Sequence, residues 1–474
     1  MITAIITKEL REFSRDRRFL TLAVLLLMLM FAASVDGWNR ARSDDHARQF
    51  AEHSDHHIWV EQGENNPHGA AHFARYAFRP TPALSAFDPG VFDFAGAAFW
   101  MEAHTQNPTS LRRVEDVAIS TPFAALSPAW IIQVVGSLAL AVLLFQTLAG
   151  ERERGTLRAL AAIGIPATQV VAGKAGSVLS LVTLLSLIIF LIALGPSLLS
   201  PGLDVCGLRV LTLIGVYLIG LCAFAFVIVA ISAVLRTSAS AFTAAISFWV
   251  ASAIIIPILG GQLAASLHPD MDEQALKNTI QLEAQSPFWT GDARGPAVAA
   301  LEEKVLEEFG AERFEDLGFD REALILQAHE EFANAVYDRL YGALYDTHQA
   351  QDQVLRYLSL ASPLLAVQRV SAALSETDQS AQIRFAQQSE AHRRTIIEML
   401  NRNMMIHAGD QGFSYSAGRD LWESIPDFVN VRPSTLDILT TMRVELISLG
   451  IWLLLSILLA LGLVRRALLR EAQP

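Results

Sequence analysis

The chain has 474 residues, of which 52% are hydrophobic and 18% charged, and its formal net charge is −12. The apolar residues are concentrated in six runs, each close to the roughly 20 residues that cross a bilayer as a helix, which excludes a wholly soluble protein. Helices are the expected form because lipid cannot satisfy free backbone groups. The six predicted spans are approximately Phe19–Val35, Ala129–Ala149, Ala175–Leu194, Val210–Leu235, Ala239–Leu259 and Leu446–Val464.

Residues 1–18 have the pattern of an amphipathic helix. One face carries apolar side chains, and the opposite face carries most of the charges. The apolar residues are Ile2, Ile5, Ile6, Leu10 and Phe13, and the charged ones are Lys8, Glu9, Arg11 and Glu12. This pattern predicts a helix on the cytoplasmic membrane surface. A cleaved signal peptide is the alternative, and the acidic residues of this stretch argue against it.

Basic residues set the predicted orientation. With both termini in the cytoplasm, the termini and loops on that side together carry 13 basic and 6 acidic residues, as the positive-inside rule requires. Two long polar segments, 36–127 and 260–442, carry 40 acidic and 21 basic residues and are predicted to be extracytoplasmic. Span 1 (19–35) precedes the first polar segment, and spans 2–5 (128–259) lie between the two segments. Span 6 (443–465) and a cytoplasmic tail (466–474) follow the second segment. The chain's acidity is therefore a property of its outer side.

The first polar segment is rich in turn signals such as Asp88-Pro89-Gly90. The second has the apolar periodicity of helices. One helix is predicted from about Pro296, another runs to about Leu358, and a third covers Gln379 to Met405. The predicted fold class is an all-α polytopic membrane protein with six transmembrane helices and two extracytoplasmic domains.

The loop at 150–174, between spans 2 and 3, is the most informative motif. It contains Gly150-Glu151-Arg152-Glu153-Arg154-Gly155-Thr156-Leu157, then Gly164-Ile165-Pro166 and Gly173-Lys174. A charged base, a short helix and a breaker such as Pro166 suit an element that docks into a cytoplasmic partner. From charge alone, a solvated turn is the simpler interpretation. The glutamates are expected to pair with that partner or with Arg152 and Arg154.

The whole run resembles the GERE-x-GTL … P … GK stretch of permease subunits of ABC-2 type ATP-binding-cassette transporters. Phrases in the polar segments resemble a branch with large extracytoplasmic insertions after the first and fifth spans. These phrases are Tyr76-Ala77-Phe78-Arg79-Pro80, Asp88-Pro89-Gly90, Glu102-Ala103-His104, and Leu360-Ala361-Ser362-Pro363-Leu364 followed by Gln379-Ser380. The resemblance covers nearly the full length, but only the loop motif is specific.

The resemblance implies a transporter permease of the bacterial inner membrane, an exporter by family expectation, with an unidentified substrate. It implies a dimer with a second permease copy or paralogue, surrounding membrane lipid, and cytoplasmic ABC ATPase subunits as partners. A periplasmic partner is a further possibility, and nucleic acid is not expected. The ATPase-coupling residues would be Glu151, Arg152, Glu153, Arg154, Gly155, Thr156 and Pro166.

The chain has no phosphate-binding loop of the Gly-x-x-x-x-Gly-Lys-Ser/Thr type. Gly173-Lys174 comes nearest, but Thr168 and Ala175 replace the required glycine and hydroxyl. ATP and Mg are therefore expected on a partner ATPase, and no cofactor is expected on this chain. The interiors of the apolar runs lack Asp, Glu, Lys and Arg, which argues against an ion-driven transporter. Helix packing is the expected role of the polar Gln133, Gln146, Thr183 and Tyr217.

Three histidines, His53, His56 and His57, would share one face of a helix and are candidate metal ligands. Imidazole beside carboxylate suits zinc, copper or nickel, whereas a solvated polar linker is the simpler interpretation, and no metal is the working expectation. Cys206 and Cys222 are predicted to be unpaired. Hydrolase motifs are missing, since the run after His329-Glu330 lacks a second histidine. The alternative function is a membrane-anchored sensor or scaffold whose outer domains bind a periplasmic partner or metal.

Overall fold

The computed structural model describes residues 1–73, 75–112, 126–198, 207–288 and 294–471. Within these residues, six helices are long and apolar enough to cross a membrane, which confirms the predicted number. In chain order, spans 1 to 6 are Arg17–Val60, Pro128–Glu153, Ala167–Ile192, Gly207–Val234, Ser238–Leu267 and Arg443–Glu471. Spans 2 and 4 are the most enclosed, with 72% and 67% of their apolar windows buried, whereas spans 1 and 5 have 22% and 11%. Spans 1 and 5 therefore expose the largest share of their apolar windows on the surface of the helix bundle.

The N-terminal helix runs from Ile2 to Arg15 and ends at Asp16, where the backbone is extended. The Asp16 side chain accepts a hydrogen bond from the Arg18 backbone N–H and so caps span 1. Span 1 has 44 residues, which at 1.5 Å per residue makes it about 66 Å long. Because a bilayer core is only about 30 Å thick, this helix continues past Val35, the predicted end of span 1, far into the first polar segment.

The rest of the first polar segment contains the short helix Pro67–His72 and three strands. The strands are β1 (Tyr76–Phe78), β2 (Gly96–Trp100) and β3 (Ser110–Arg112). They form an antiparallel sheet in the order β1-β2-β3, with Tyr76 opposite Trp100. The predicted all-α fold is therefore right for the spans but omits this sheet.

The second polar segment is mainly helical, as predicted. Its helices are Glu273–Glu283, Arg294–Phe309, Arg321–Leu358, Pro363–Leu374, Gln379–His407, Arg419–Ser424 and Thr435–Thr441, with 3₁₀ turns at Phe314–Leu317 and Gly409–Ser414. Pro296 lies in the first turn of its helix, where the missing N–H costs nothing. The helices predicted to end at Leu358 and to begin at Gln379 do so.

The helix Pro363–Leu374 differs from the sequence prediction, which placed it among the outer domains. Its apolar side chains belong to the same buried cluster as the spans. Val367 packs so closely on Gly220 of span 4 that a Cβ atom at Gly220 would clash with it. Part of the second polar segment therefore completes the core of the span bundle.

The two polar segments pack against each other. The Trp59 and Trp422 rings meet edge to face, with centroids 5.5 Å apart, and Trp422 is fully buried. The Trp59 indole N–H donates to the Trp422 carbonyl at 3.1 Å, and Asn65 forms a β-bridge with Ala417. The segments thus share one core. Elsewhere, Cys222 is buried as a free thiol, and Cys206 lies outside the described residues.

Candidate functional site

The 150–174 loop folds into a short helix between two glycine turns. Span 2 ends at Glu153, and the loop helix covers Thr156–Ala162. Gly155 and Gly164 flank it with φ angles of +72° and +76°. Glycine adopts this left-handed conformation without the strain that a Cβ atom causes. The glycines of the motif therefore define where the loop helix begins and ends.

Glu151 lies inside the protein rather than on the loop surface. Its side chain is 3% exposed, with Oε1 2.9 Å from Lys8 Nζ and Oε2 3.0 Å from Lys174 Nζ. Lys8 comes from the N-terminal helix and Lys174 from span 3. A buried charge needs such partners, because water no longer solvates it. Glu151 therefore joins the end of span 2 to two other helices.

Glu9 completes a network of four charges (Lys8, Glu9, Glu151 and Lys174). Its carboxylate lies 3.0 Å from Lys8 Nζ and 3.3 Å from Lys174 Nζ, and Lys174 also donates to the Thr147 carbonyl at 3.2 Å. Glu9 was predicted on the charged face of the N-terminal helix, and the structure shows that this residue is buried, with 6% exposure. Burial lowers the pKa of Lys8, but the carboxylates of Glu151 and Glu9 outweigh this effect and raise it, so the ammonium stays charged.

Two glycines allow the N-terminal helix to lie against span 3. A Cβ atom at Gly173 would come within 2.6 Å of Ile5 Cγ2, and one at Gly176 within 2.6 Å of Ile6 Cδ1. Such distances are far below van der Waals contact. The Gly173-Lys174 pair therefore has two structural roles, since glycine admits the helix and lysine binds its carboxylate.

Arg152 and Glu153 tie the loop to spans 4 and 5. The Arg152 guanidinium donates to the carbonyls of Leu235 at 2.5 Å and Ala233 at 3.0 Å, at the end of span 4. Glu153 accepts from the Ser238 backbone N–H at 2.8 Å and hydroxyl at 2.5 Å, at the start of span 5. Both side chains satisfy backbone groups that a helix end leaves without intrahelical partners.

The remaining predicted coupling residues shape the loop. The Thr156 hydroxyl donates to the Glu151 carbonyl at 3.1 Å, Arg154 is exposed, and the Pro166 carbonyl accepts from the first turn of span 3. The expected pairing of the glutamates with Arg152 and Arg154 is replaced by contacts with Lys8, Lys174 and Ser238. No sequence pattern marked Lys8 or Glu9 as members of this site.

The loop helix has one anchored and one exposed face. Leu157 is fully buried in the span core. Arg158 has a 74% exposed side chain, with Nε 3.7 Å from a carboxylate oxygen of Glu471, and Ile163, just after the helix, is 71% exposed. An exposed apolar residue beside an exposed cation is suited to a protein contact.

At the other end of span 2, a cavity of about 720 Å³ lies between the spans and the polar segments. Its lining includes Asp88, Gln133 and Arg369. Asp88 accepts a hydrogen bond from the Ser371 hydroxyl, which contacts the Tyr217 hydroxyl at 3.0 Å. The Gln133 amide donates to the same Tyr217 oxygen at 2.7 Å. Through these contacts Asp88 brings a titratable group of the first polar segment to the spans. Burial raises the pKa of this carboxyl group to about 6.

The predicted metal ligands His53, His56 and His57 lie near the C-terminal end of the span 1 helix and are exposed. His56 Nδ1 contacts an Asp427 carboxylate oxygen at 3.1 Å. Across the described part of the chain, a group of at least three ligand atoms close enough for one metal ion occurs at His68, His72 and His104. Sequence could have drawn attention to His68 and His72, because their i, i+4 spacing puts both on one helix face.

Comparison with protein families yields one match. Residues 277–430, which lie in the second polar segment, match the family described as Domain of unknown function (DUF3526). The match covers less than half of the chain and includes the long helix Arg321–Leu358. No curated protein matches the chain. The similarity therefore concerns the second polar segment, which packs on the first polar segment and on the spans. The description of the matched family assigns no activity to it.

Proposed function

We propose that this chain is the transmembrane permease subunit of an ABC-2 type ATP-binding-cassette transporter. It moves an unidentified substrate across the inner membrane, driven by a separate ATPase subunit that binds ATP and Mg. The observation that carries this proposal is the loop helix, which lies beyond span 2 with Leu157 buried and with Arg158 and Ile163 exposed. Such a helix suits insertion into a cleft of a partner.

The contacts at the base of the loop supply a way to transmit force. Glu151 binds the N-terminal helix and span 3, Arg152 binds the end of span 4, and Glu153 binds the start of span 5. A push on the loop helix is therefore distributed over four helices at once. The buried ion pair of Glu151 with Lys174 resists sliding, because separating it strands charges in an apolar interior.

The other end of the bundle supports a role in handling substrate. The 720 Å³ cavity between spans and polar segments has a size typical of ligand sites. Both polar segments, which we place on the extracytoplasmic side, contribute to its walls. Spans 1 and 5, the least buried of the six, offer apolar surface to lipid or to a second permease copy.

The test is co-purification of an ATPase from detergent-solubilised membranes of the native host. We expect the wild-type chain to retain a nucleotide-binding subunit with ATPase activity. The double variant Arg158→Glu/Ile163→Asp changes the exposed face without touching the charge network, and we expect it to lose at least 90% of that activity while inserting normally. The matched control is Arg313→Glu, a charge reversal at a 70% exposed side chain of the second polar segment.

A wild-type preparation without any ATPase would overturn the permease assignment. It would favour the second function, a membrane-anchored sensor or scaffold, for which the joined cores of the two polar segments around Trp59 and Trp422 provide the binding domain. Full ATPase retention by the double variant would instead refute the coupling role of the loop helix.

A further inference from the structure

Two histidines of the first polar segment lie with their ring nitrogens almost in contact. His68 and His72 occupy the helix Pro67–His72, and their Nε2 atoms are 3.2 Å apart. Two nitrogens bound to one zinc ion at about 2.05 Å and at the tetrahedral angle are about 3.3 Å apart. The contact is within hydrogen-bonding distance, and its length also matches two ligands of one shared ion. The Asn66 side chain caps this helix by accepting from the backbone N–H groups of His68 and Gly69, which holds both rings in position.

His104 brings a third imidazole to the same point from the loop after β2. The ligand atoms of the three histidines all lie within 4.8 Å of one another, and the His104 ring centroid is 5.1 Å from that of His68 and 5.2 Å from that of His72. The backbone at His104 has φ +65°, a conformation that costs energy for a residue with a Cβ atom. Tertiary contacts therefore hold His104 there against its local preference.

Glu330 orients His104. One of its oxygens lies 2.7 Å from His104 Nδ1 and 2.7 Å from the His104 backbone nitrogen. In metal sites such a second contact orients the imidazole and fixes which ring nitrogen faces the ion. Metal-binding histidines have such a partner almost without exception.

Arg393 holds Glu330 in turn. The guanidinium is fully buried, lies 3.2 Å from a Glu330 oxygen and donates to Glu390 at 2.7 Å. The Glu330 carboxylate is therefore fixed between Arg393 and His104.

We propose that His68, His72 and His104 form a binding site for one divalent transition-metal ion, for which Zn²⁺ fits best. Three imidazole nitrogens leave a fourth tetrahedral position for water or another ligand. Packing alone would explain one aromatic contact, such as the His68 ring 5.6 Å from that of Phe413, but it does not require three ring nitrogens to converge. The proposal does not depend on the transport function.

The test is zinc binding by the full-length chain in detergent, purified through a tag without histidines and stripped with a chelator. Equilibrium dialysis against ZnCl₂, with metal analysis, should give one ion per chain. We expect His68→Ala and His104→Ala each to weaken binding at least 100-fold. Glu330→Gln should weaken it by about 10- to 100-fold, as loss of the partner of a ligand does.

The matched control is the triple variant His53→Ala/His56→Ala/His57→Ala, which removes the exposed histidines and should bind zinc as the wild type does. A second readout separates site loss from misfolding, since zinc should raise the Tm of the wild type and the triple variant but not that of His68→Ala. Where His68→Ala fails to fold, His72→Gln takes its place. A wild type that binds no zinc, or binding that persists without His68 and His104 but is lost in the triple variant, would overturn the proposal.

Discussion

Lys174 Nζ lies 3.0 Å from Glu151 Oε2, and the two side chains are 2% and 3% exposed. The lysine belongs to span 3 and the glutamate to the last turn of span 2, while Lys8 of the N-terminal helix binds the second oxygen of Glu151. Removing one member of a buried ion pair leaves an uncompensated charge, which costs far more than loss of an exposed pair. The pair therefore makes the loop's position sensitive to single substitutions.

Replacing Lys174 with methionine tests this sensitivity. The variant leaves Glu9 and Glu151 with only Lys8 between them, and we expect the free energy of unfolding in detergent to fall by about 3–5 kcal/mol. Lys277→Met is the control, because Lys277 forms an exposed pair with Glu273 at 2.7 Å, and exposed pairs add little stability because water and salt screen them. Equal losses in the two variants would show that the Lys174 network is not a buried one.

Gly173→Ala tests the contact between the N-terminal helix and span 3. Alanine normally stabilises a helix relative to glycine by about 0.5–1 kcal/mol. Here the new Cβ atom would meet Ile5 at 2.6 Å, and we expect a net loss of about 1–3 kcal/mol, as overpacking causes. Thermal unfolding followed by circular dichroism gives the sign of the change.

Gly215→Ala is the matched control for that measurement. Gly215 also lies inside a span, but a Cβ atom there would meet nothing within 4 Å. We expect this variant to be as stable as the wild type or more so. If Gly173→Ala is stabilising too, the N-terminal helix does not lie against span 3 as closely as the structure has it.

Asp88 predicts a pH dependence. Its pKa is raised from 3.8 to about 6 in the folded chain, so the folded state binds this proton more tightly than the unfolded state. The resulting stability is fully present below about pH 4 and is lost as pH rises through about 6. The difference between a pKa of 3.8 and one of about 6 corresponds to roughly 3 kcal/mol. We expect Asp88→Asn to be more stable than the wild type at pH 7 and to show a smaller change between pH 4 and 6.

The control for Asp88→Asn is Asp346→Asn, at an exposed position of the long helix in the second polar segment. It should leave the wild-type pH profile unchanged. Urea titrations of the detergent-solubilised protein at several pH values provide the comparison. An Asp88→Asn profile that still tracks the wild type would mean that other groups cause the dependence.

Local sequence signals predicted much of the architecture. Hydropathy located all six spans, and apolar periodicity placed the helices that end at Leu358 and begin at Gln379. These features depend on residues three or four positions apart, so they can be read without knowing the fold. The same signals missed the continuation of span 1 to Val60 and the three-stranded sheet, because short strands and polar helices have weak periodicity.

Only the tertiary structure decided which polar residues are paired. The sequence places Glu9 on the charged face of the N-terminal helix. Only the fold brings Lys174, 165 positions away, within hydrogen-bonding distance of it. Sequence spacing indicated the exposed His53, His56 and His57 as metal ligands. The histidines that converge in the fold include His104, whose backbone donates to Glu330, 226 positions away. A buried charge or imidazole needs a partner that lies close to it in the fold. The distance between two residues along the chain does not show whether they are such partners. The sequence alone therefore determined the six apolar spans and several helices of the second polar segment, and the packing of the chain determined the candidate sites.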